Sequence, residues 1–127
     1  MGADVPCVPS ATTKPPDQPS VVDKRRKIVE LNDQLRTTFK GGRVQMTPGV
    51  YELDARLRGR AMYVLSRYRN FDDDSEHDGG VFIFAGYAFE WHIDYRSNDG
   101  VGVSPDPADP DKTFRVLTLY VAADMLR

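Results

Sequence analysis

Residues 70–95 read NFDDDSEHDGGVFIFAGYAFEWHIDY, and this stretch decides the fold. It opens on an acidic turn in which Asp72, Asp73, Asp74, Glu76 and Asp78 surround His77. Gly79-Gly80 then breaks the chain, and two apolar runs meet at Ala85-Gly86. Both runs alternate with period two, the signature of half-buried strands. In the first, Val81, Ile83 and Ala85 share one face and Phe82 and Phe84 the other; in the second, Phe89, Trp91, Ile93 and Tyr95 oppose Glu90, His92 and Asp94. The pattern predicts an antiparallel pair over 80–85 and 88–95, the core hairpin of a sheet. His92 and Asp94 then stand on an exposed or groove-lining face.

Downstream, 113–121 carries Arg115, Leu117, Leu119 and Val121 on one face and Val116, Thr118 and Tyr120 on the other. Apolar residues on both faces predict a central strand. Residues 96–112 form a long loop containing Asp99-Gly100 and the run Pro105-Asp106-Pro107-Ala108-Asp109-Pro110. Loops of this length tend to be functional or Ω-like. The Asp-Pro run lacks the glycine and terminal glutamate of a calcium loop, so turn geometry accounts for it better.

Upstream, Leu53, Leu57, Ala61, Val64, Leu65 and Tyr68 cover about 120° at helical spacing, which predicts a helix over 53–69 lying on the sheet. Gly59 weakens it by roughly 1 kcal/mol relative to alanine. Thr47-Pro48-Gly49 reads as a turn, and 42–47 as a short strand. A first helix starts at Ser20, with Asp23 as capping-box partner, and stops at Gly41-Gly42. Its expected core stripe is Val21, Ile28, Leu31, Leu35 and Phe39, within about 80°. Residues 1–19 hold five prolines and are expected to form a dispensable, extended tail. The expected architecture is one α+β domain over 20–127. Two helices pack on a three- to four-stranded, mainly antiparallel sheet in the order α-β-α-β-β-β.

The chain has room for one core, with 127 residues, 40% hydrophobic and 28% charged. A formal charge of −2 provides no overall attraction to nucleic acid or anionic lipid, so direct binding to either is not expected. The lone Cys7 excludes an intrachain disulfide and a cysteine-rich zinc site. No apolar run approaches the roughly 18 residues of a membrane span, and the first twenty residues lack a signal-peptide core. A cytoplasmic location is the expectation.

Several motifs occur in order: Leu31-Asn32-Asp33, Gly41-Gly42-Arg43-Val44, Thr47-Pro48-Gly49-Val50, Glu76-His77-Asp78, Ile93-Asp94-Tyr95, the Asp-Pro run from Ser104, and Arg115-Val116-Leu117-Thr118. Together they resemble the DUF3768 family, small domains of unknown function common in alphaproteobacteria and their plasmids, over about residues 24–124. The resemblance implies a mobile-element context and brings no reaction with it. Two positions depart from the family pattern. Gly79-Gly80 stands where Phe-Gly is usual, and His92 stands where lysine precedes Ile-Asp-Tyr. The second departure argues against a His77/His92 metal pair as a family trait.

Two classes of function compete. An enzymatic or metal reading rests on Glu76, His77, Asp78, His92 and Asp94, since imidazole beside carboxylate binds divalent ions or acts as an oriented base. No spacing matches an established ligand or nucleophile motif, so neither metal nor cofactor is expected. A binding reading rests on the acidic Asp72, Asp73, Asp74, Asp106 and Asp109, and on Arg56, Arg60 and Arg67, which project within about 40° of one another on an ideal helix. Lys24-Arg25-Arg26-Lys27 points in four directions and makes no patch. The expectation is a non-catalytic protein-binding domain, in the form of a mobile-element accessory or an inhibitor of a host defence or nucleic-acid-processing complex. The oligomeric state is open. The alternative is a metal- or His-dependent hydrolase.

Overall fold

Ser20 starts the first helix as its chemistry requires. In the computed structural model, which describes residues 20–122, its hydroxyl accepts from the Asp23 amide at 3.1 Å. The Asp23 carboxylate returns a bond to the Ser20 amide at 3.4 Å, completing the capping box. The proline-rich tail and Cys7 lie outside the described residues. Helix α1 spans Val21–Thr38 and stops at Phe39, whose amide still bonds the Leu35 carbonyl while its left-handed backbone (φ 61°) turns the following chain off the helix axis. The stop therefore begins two residues before the glycine pair.

The buried face of α1 is Ile28, Asn32, Leu35 and Arg36, a correction to the expected stripe. Val21 is 79% exposed and Phe39 39% exposed. The inner face is rotated by about 50° toward Asn32 and Arg36. Asn32 and Arg36 are polar, and here they lie inside.

Strand β1 (Arg43–Met46) follows, and then a short helix α2 (Pro48–Tyr51) stands where a turn was expected. Pro48 occupies the first helical position, where its fixed φ fits and its missing amide costs nothing. The Thr47 carbonyl accepts from the amides of both Val50 and Tyr51. Helix α3 spans Ala55–Ser66, capped by the Asp54 side chain on the Arg56 amide at 2.8 Å. It ends three residues before the expected boundary at 69.

The hairpin is present as read: β2 (Gly79–Phe84) pairs antiparallel with β3 (Tyr87–Arg96). Ala85 and Gly86 join them with φ of 53° and 83°, both positive as a type I′ turn requires. Strand β4 (Phe114–Val121) lies centrally, in the order β1-β4-β3-β2. It pairs antiparallel with β3 and parallel with β1, so the sheet is four-stranded and mainly antiparallel.

All three helices pack on one face of the sheet. Leu35, Val50, Ala61 and Leu65 meet Phe89, Trp91, Ile93, Leu117, Leu119 and Val121 there. Full burial of each large side chain contributes about 1.5–3 kcal/mol. The other face carries His92, Asp94, Val81 and Ile83, and the last is 72% exposed. No helix of the described residues is long and apolar enough to cross a membrane.

Candidate functional site

The polar groups singled out on the acidic turn do not stand alone, because two residues of α1 reach them from inside. Asn32 is fully buried, and its amide nitrogen donates to the Glu76 carbonyl at 3.0 Å and to the Tyr95 hydroxyl at 2.8 Å. That hydroxyl donates to Glu76 Oε1 at 2.9 Å. Arg115 on the central strand donates from Nε to Asn32 Oδ1 at 2.7 Å, and another of its nitrogens reaches the Pro107 carbonyl. Its guanidinium carbon lies 5.1 Å from the Tyr95 ring centroid. Asn32, Glu76, Tyr95 and Arg115 thus form one closed network in which every Asn32 polar atom has a partner.

The electrostatics follow from burial. The Tyr95 phenol is pushed above its ordinary value by burial, opposed by the Asn32 donor and reinforced by the Glu76 and Asp78 carboxylates. Burial holds the Arg115 guanidinium below its usual range, with Tyr95 and Glu76 acting in the other direction. The Glu76 carboxylate thus favours the charged form of a cation that is only 2% exposed.

His77 belongs to a second, adjoining group. Its φ of 59° places the residue in the left-handed region, with its amide held by the Ser75 hydroxyl at 2.9 Å. This backbone swings the imidazole against α1, where Nδ1 lies 2.9 Å from Asp33 Oδ1. The same oxygen accepts from Arg36 Nη1 at 2.8 Å. Phe71 stacks on the imidazole at 3.9 Å between centroids and 9° between planes. Arg36, Phe71 and His77 form one wall of a cleft of about 600 Å³, between the second half of α1 and the end of α3. Tyr63, Arg67 and Arg69 border it from the other side.

The remaining candidates scatter. His92 lies on the opposite face of the sheet from Trp91, 3.1 Å from the Tyr120 hydroxyl and 3.6 Å from Asp94. His77 reaches Trp91 only through Phe71, on the helix-covered side, so the two histidines do not share a site. Among the described residues no three of His, Cys, Asp and Glu converge as a metal site would require. Asp78 pairs through its carbonyl with the Ile93 amide at 2.7 Å.

Asp106 and Asp109 shape the long loop. Asp106 Oδ1 accepts from the Ala108 amide and Asp109 Oδ1 from the Asp111 amide, while the second Asp106 oxygen lies 3.6 Å from Lys24. Asp72, Asp73 and Asp74 are exposed, and no ion pair joins them to the described arginines. The three arginines of the expected stripe lie on α3 and at its C-cap. Arg56 and Arg60 are exposed on α3, and Arg67, the C-cap residue, lies over the Tyr63 ring at the cleft.

Sequence reasoning missed Asn32, Asp33, Arg36 and Arg115 as site residues. The available signal was an asparagine and an arginine one helical turn apart on the core-facing side of α1.

These features define a small α+β domain with a buried polar network beneath an acidic turn and a cleft beside it. The family model described as a protein of unknown function, DUF3768, matches residues 46–124, and the chain belongs to that family. The matched segment contains the acidic turn and the whole β2–β3–β4 sheet, while α1 with Asn32, Asp33 and Arg36 precedes it. No curated protein and no solved structure matches the chain.

Proposed function

We propose that the domain is a non-catalytic binding module that presents its acidic turn to a basic surface of a protein partner. One observation carries this reading. Glu76 is engaged with Tyr95, Asp33 with His77 and Arg36, and Asp106 with Lys24, whereas Asp72, Asp73 and Asp74 face solvent with no ion pair to a described residue. Like charges so close together repel, and a cationic partner would relieve that repulsion. Acidic side chains of this kind can occupy surfaces meant for phosphate backbones. That suits an accessory protein of a mobile element that blocks a host defence or nucleic-acid-processing complex. The test is capture from a host lysate by the tagged wild type and by a triple Asp→Asn variant at 72, 73 and 74. A partner retained by the wild type, released by salt and lost with the variant is expected. Equal recovery by both proteins would remove the acidic turn from the binding surface.

A second reading is favoured by the His77–Asp33 pair. A carboxylate on Nδ1 selects the tautomer whose Nε2 is free to take a proton, as a general base requires. Hydrolysis of ester or phosphodiester substrates by the wild type, abolished in His77→Gln, would place a His-dependent hydrolase first.

A further inference from the structure

The most unusual side chain in the molecule is Arg36. Its side chain is only 6% exposed, yet it lines the cleft. One of its nitrogens is bonded to Asp33, and its Nε is a buried donor with no hydrogen-bond partner among the described residues. Buried donors left unmet are rare in folded proteins and carry a desolvation cost that is larger when the group is charged. The guanidinium carbon lies 5.0 Å from the Phe71 ring centroid and 5.8 Å from that of Trp91, so aromatic faces hold the cation from below. Its hydrogen-bonding capacity is left largely unused.

The charged groups around the cleft are mostly cationic. Arg67 and Arg69 also line the cleft, so three guanidinium groups face one carboxylate, Asp33, which Arg36 and His77 already share. His77 adds an Nε2 with no partner among the described residues, and Tyr63 adds a ring 64% exposed at the edge. Guanidinium groups match the geometry of oxyanions, and one of them buried on aromatic rings is worth more than the same charge in water.

The acidic turn limits what enters. Asp72, Asp73 and Asp74 follow Phe71 directly and repel a continuous phosphate backbone passing over the cleft. An anion that ends inside the cleft avoids them.

We infer that this cleft is a binding site for a compact phosphate group, either free or as a small phosphate monoester, held by Arg36, Arg67 and Arg69 beside His77. The site is separate from the acidic surface proposed for the protein partner, and either assignment can stand without the other.

The test is a titration of the full chain, followed by amide and side-chain NMR, with inorganic phosphate and with adenosine 5′-monophosphate as probes. Saturable binding of at least one probe is expected, with shifts at Arg36, Arg67 and His77. The tighter probe identifies the source as free phosphate or as phosphate carried on a ring. The Arg67→Ala/Arg69→Ala variant, altered only at the rim, is expected to keep its melting temperature and to bind about tenfold or more weakly, in line with the loss of charge-assisted hydrogen bonds. Arg36→Lys, which keeps the charge but loses the planar fork, is expected to bind more weakly still. Failure of both probes to saturate by about 10 mM, a regime of only a few kcal/mol of binding energy, would overturn the assignment. Affinity unchanged in the rim variant would also overturn it, as would tighter binding of duplex DNA through the same arginines.

Discussion

Arg115 Nε donates to Asn32 Oδ1 at 2.7 Å, tying the central strand of the sheet to the buried face of α1 across 83 residues of sequence. The bond satisfies a cation with almost no access to water, and it orients the Asn32 amide toward Tyr95 and Glu76. Asn32→Leu is expected to destabilise the protein by about 1.5–3 kcal/mol, the range for losing a hydrogen bond to a charged group, because Arg115 keeps the Pro107 carbonyl. The melting temperature should fall by roughly five to fifteen degrees, as each kcal/mol moves a domain of this size by several degrees. The double variant Asn32→Leu/Arg115→Met removes both partners and should recover much of the loss. A double-mutant cycle in urea measures the coupling.

Tyr95 provides a pH signature of the same network. Its folded-state pKa is raised above the unfolded value near 10, first by burial and then by Glu76 and Asp78 against the Asn32 donor. A raised pKa means that its contribution is fully present below about pH 10. The contribution is lost as pH climbs toward the folded value, with a limiting slope of about 1.4 kcal/mol per pH unit. Tyr95→Phe is expected to be less stable at neutral pH and to show a shallower alkaline decline. Tyr120, also raised by burial, contributes equally to both proteins and cancels in the comparison. Unfolding free energies from pH 8 to 11 provide the measurement.

Changing Asp72, Asp73 and Asp74 together to Asn is expected to leave folding intact or slightly improved, within about 0.5 kcal/mol of wild type. No cation among the described residues is paired with them, so only their mutual repulsion is removed. A loss above about 2 kcal/mol, beyond what exposed ion pairs provide, would show that the cluster holds the turn together.

Gly42 enters β1 where the chain passes over Arg115. A Cβ built at this position would lie 2.5 Å from the Arg115 carbonyl oxygen, which is main chain and cannot swing aside. Gly42→Ala is therefore expected to cost about 1–3 kcal/mol, the usual penalty of overpacking, and to loosen the parallel β1–β4 pair. Thermal unfolding and hydrogen exchange at Val44 and Met46 report both effects. Gly59→Ala on α3 is the control. Its added Cβ meets nothing within 4 Å, and helix propensity then favours the variant by up to about 1 kcal/mol.

Much of the local structure was legible in the residues. The alternation through 80–95 placed each side chain of the hairpin on the correct face, and Ser20 with Asp23 marked the start of α1. Apolar residues on both faces of β4 identified it as central. The misreadings lie where an element's edge or orientation depends on something distant. The Thr47-Pro48-Gly49 turn became α2, and α3 ended at Ser66, three residues short of the expected boundary.

Local patterning by itself determined the α+β class, the hairpin and the caps, because period-two burial, helical periodicity and capping chemistry are settled among residues a few positions apart. Only the tertiary structure decided that Asn32 and Arg36 point inward, that β1 runs parallel to β4, and that His77 joins α1 while His92 lies on the opposite face. An asparagine or arginine on a helix carries no local mark of burial. Asn32 is stable inside because partners far along the chain complete its hydrogen bonds, whereas Arg36 bonds the neighbouring Asp33 and rests on the distant rings of Phe71 and Trp91. For Asn32 those partners are Glu76, Tyr95 and Arg115, and folding alone brings them together.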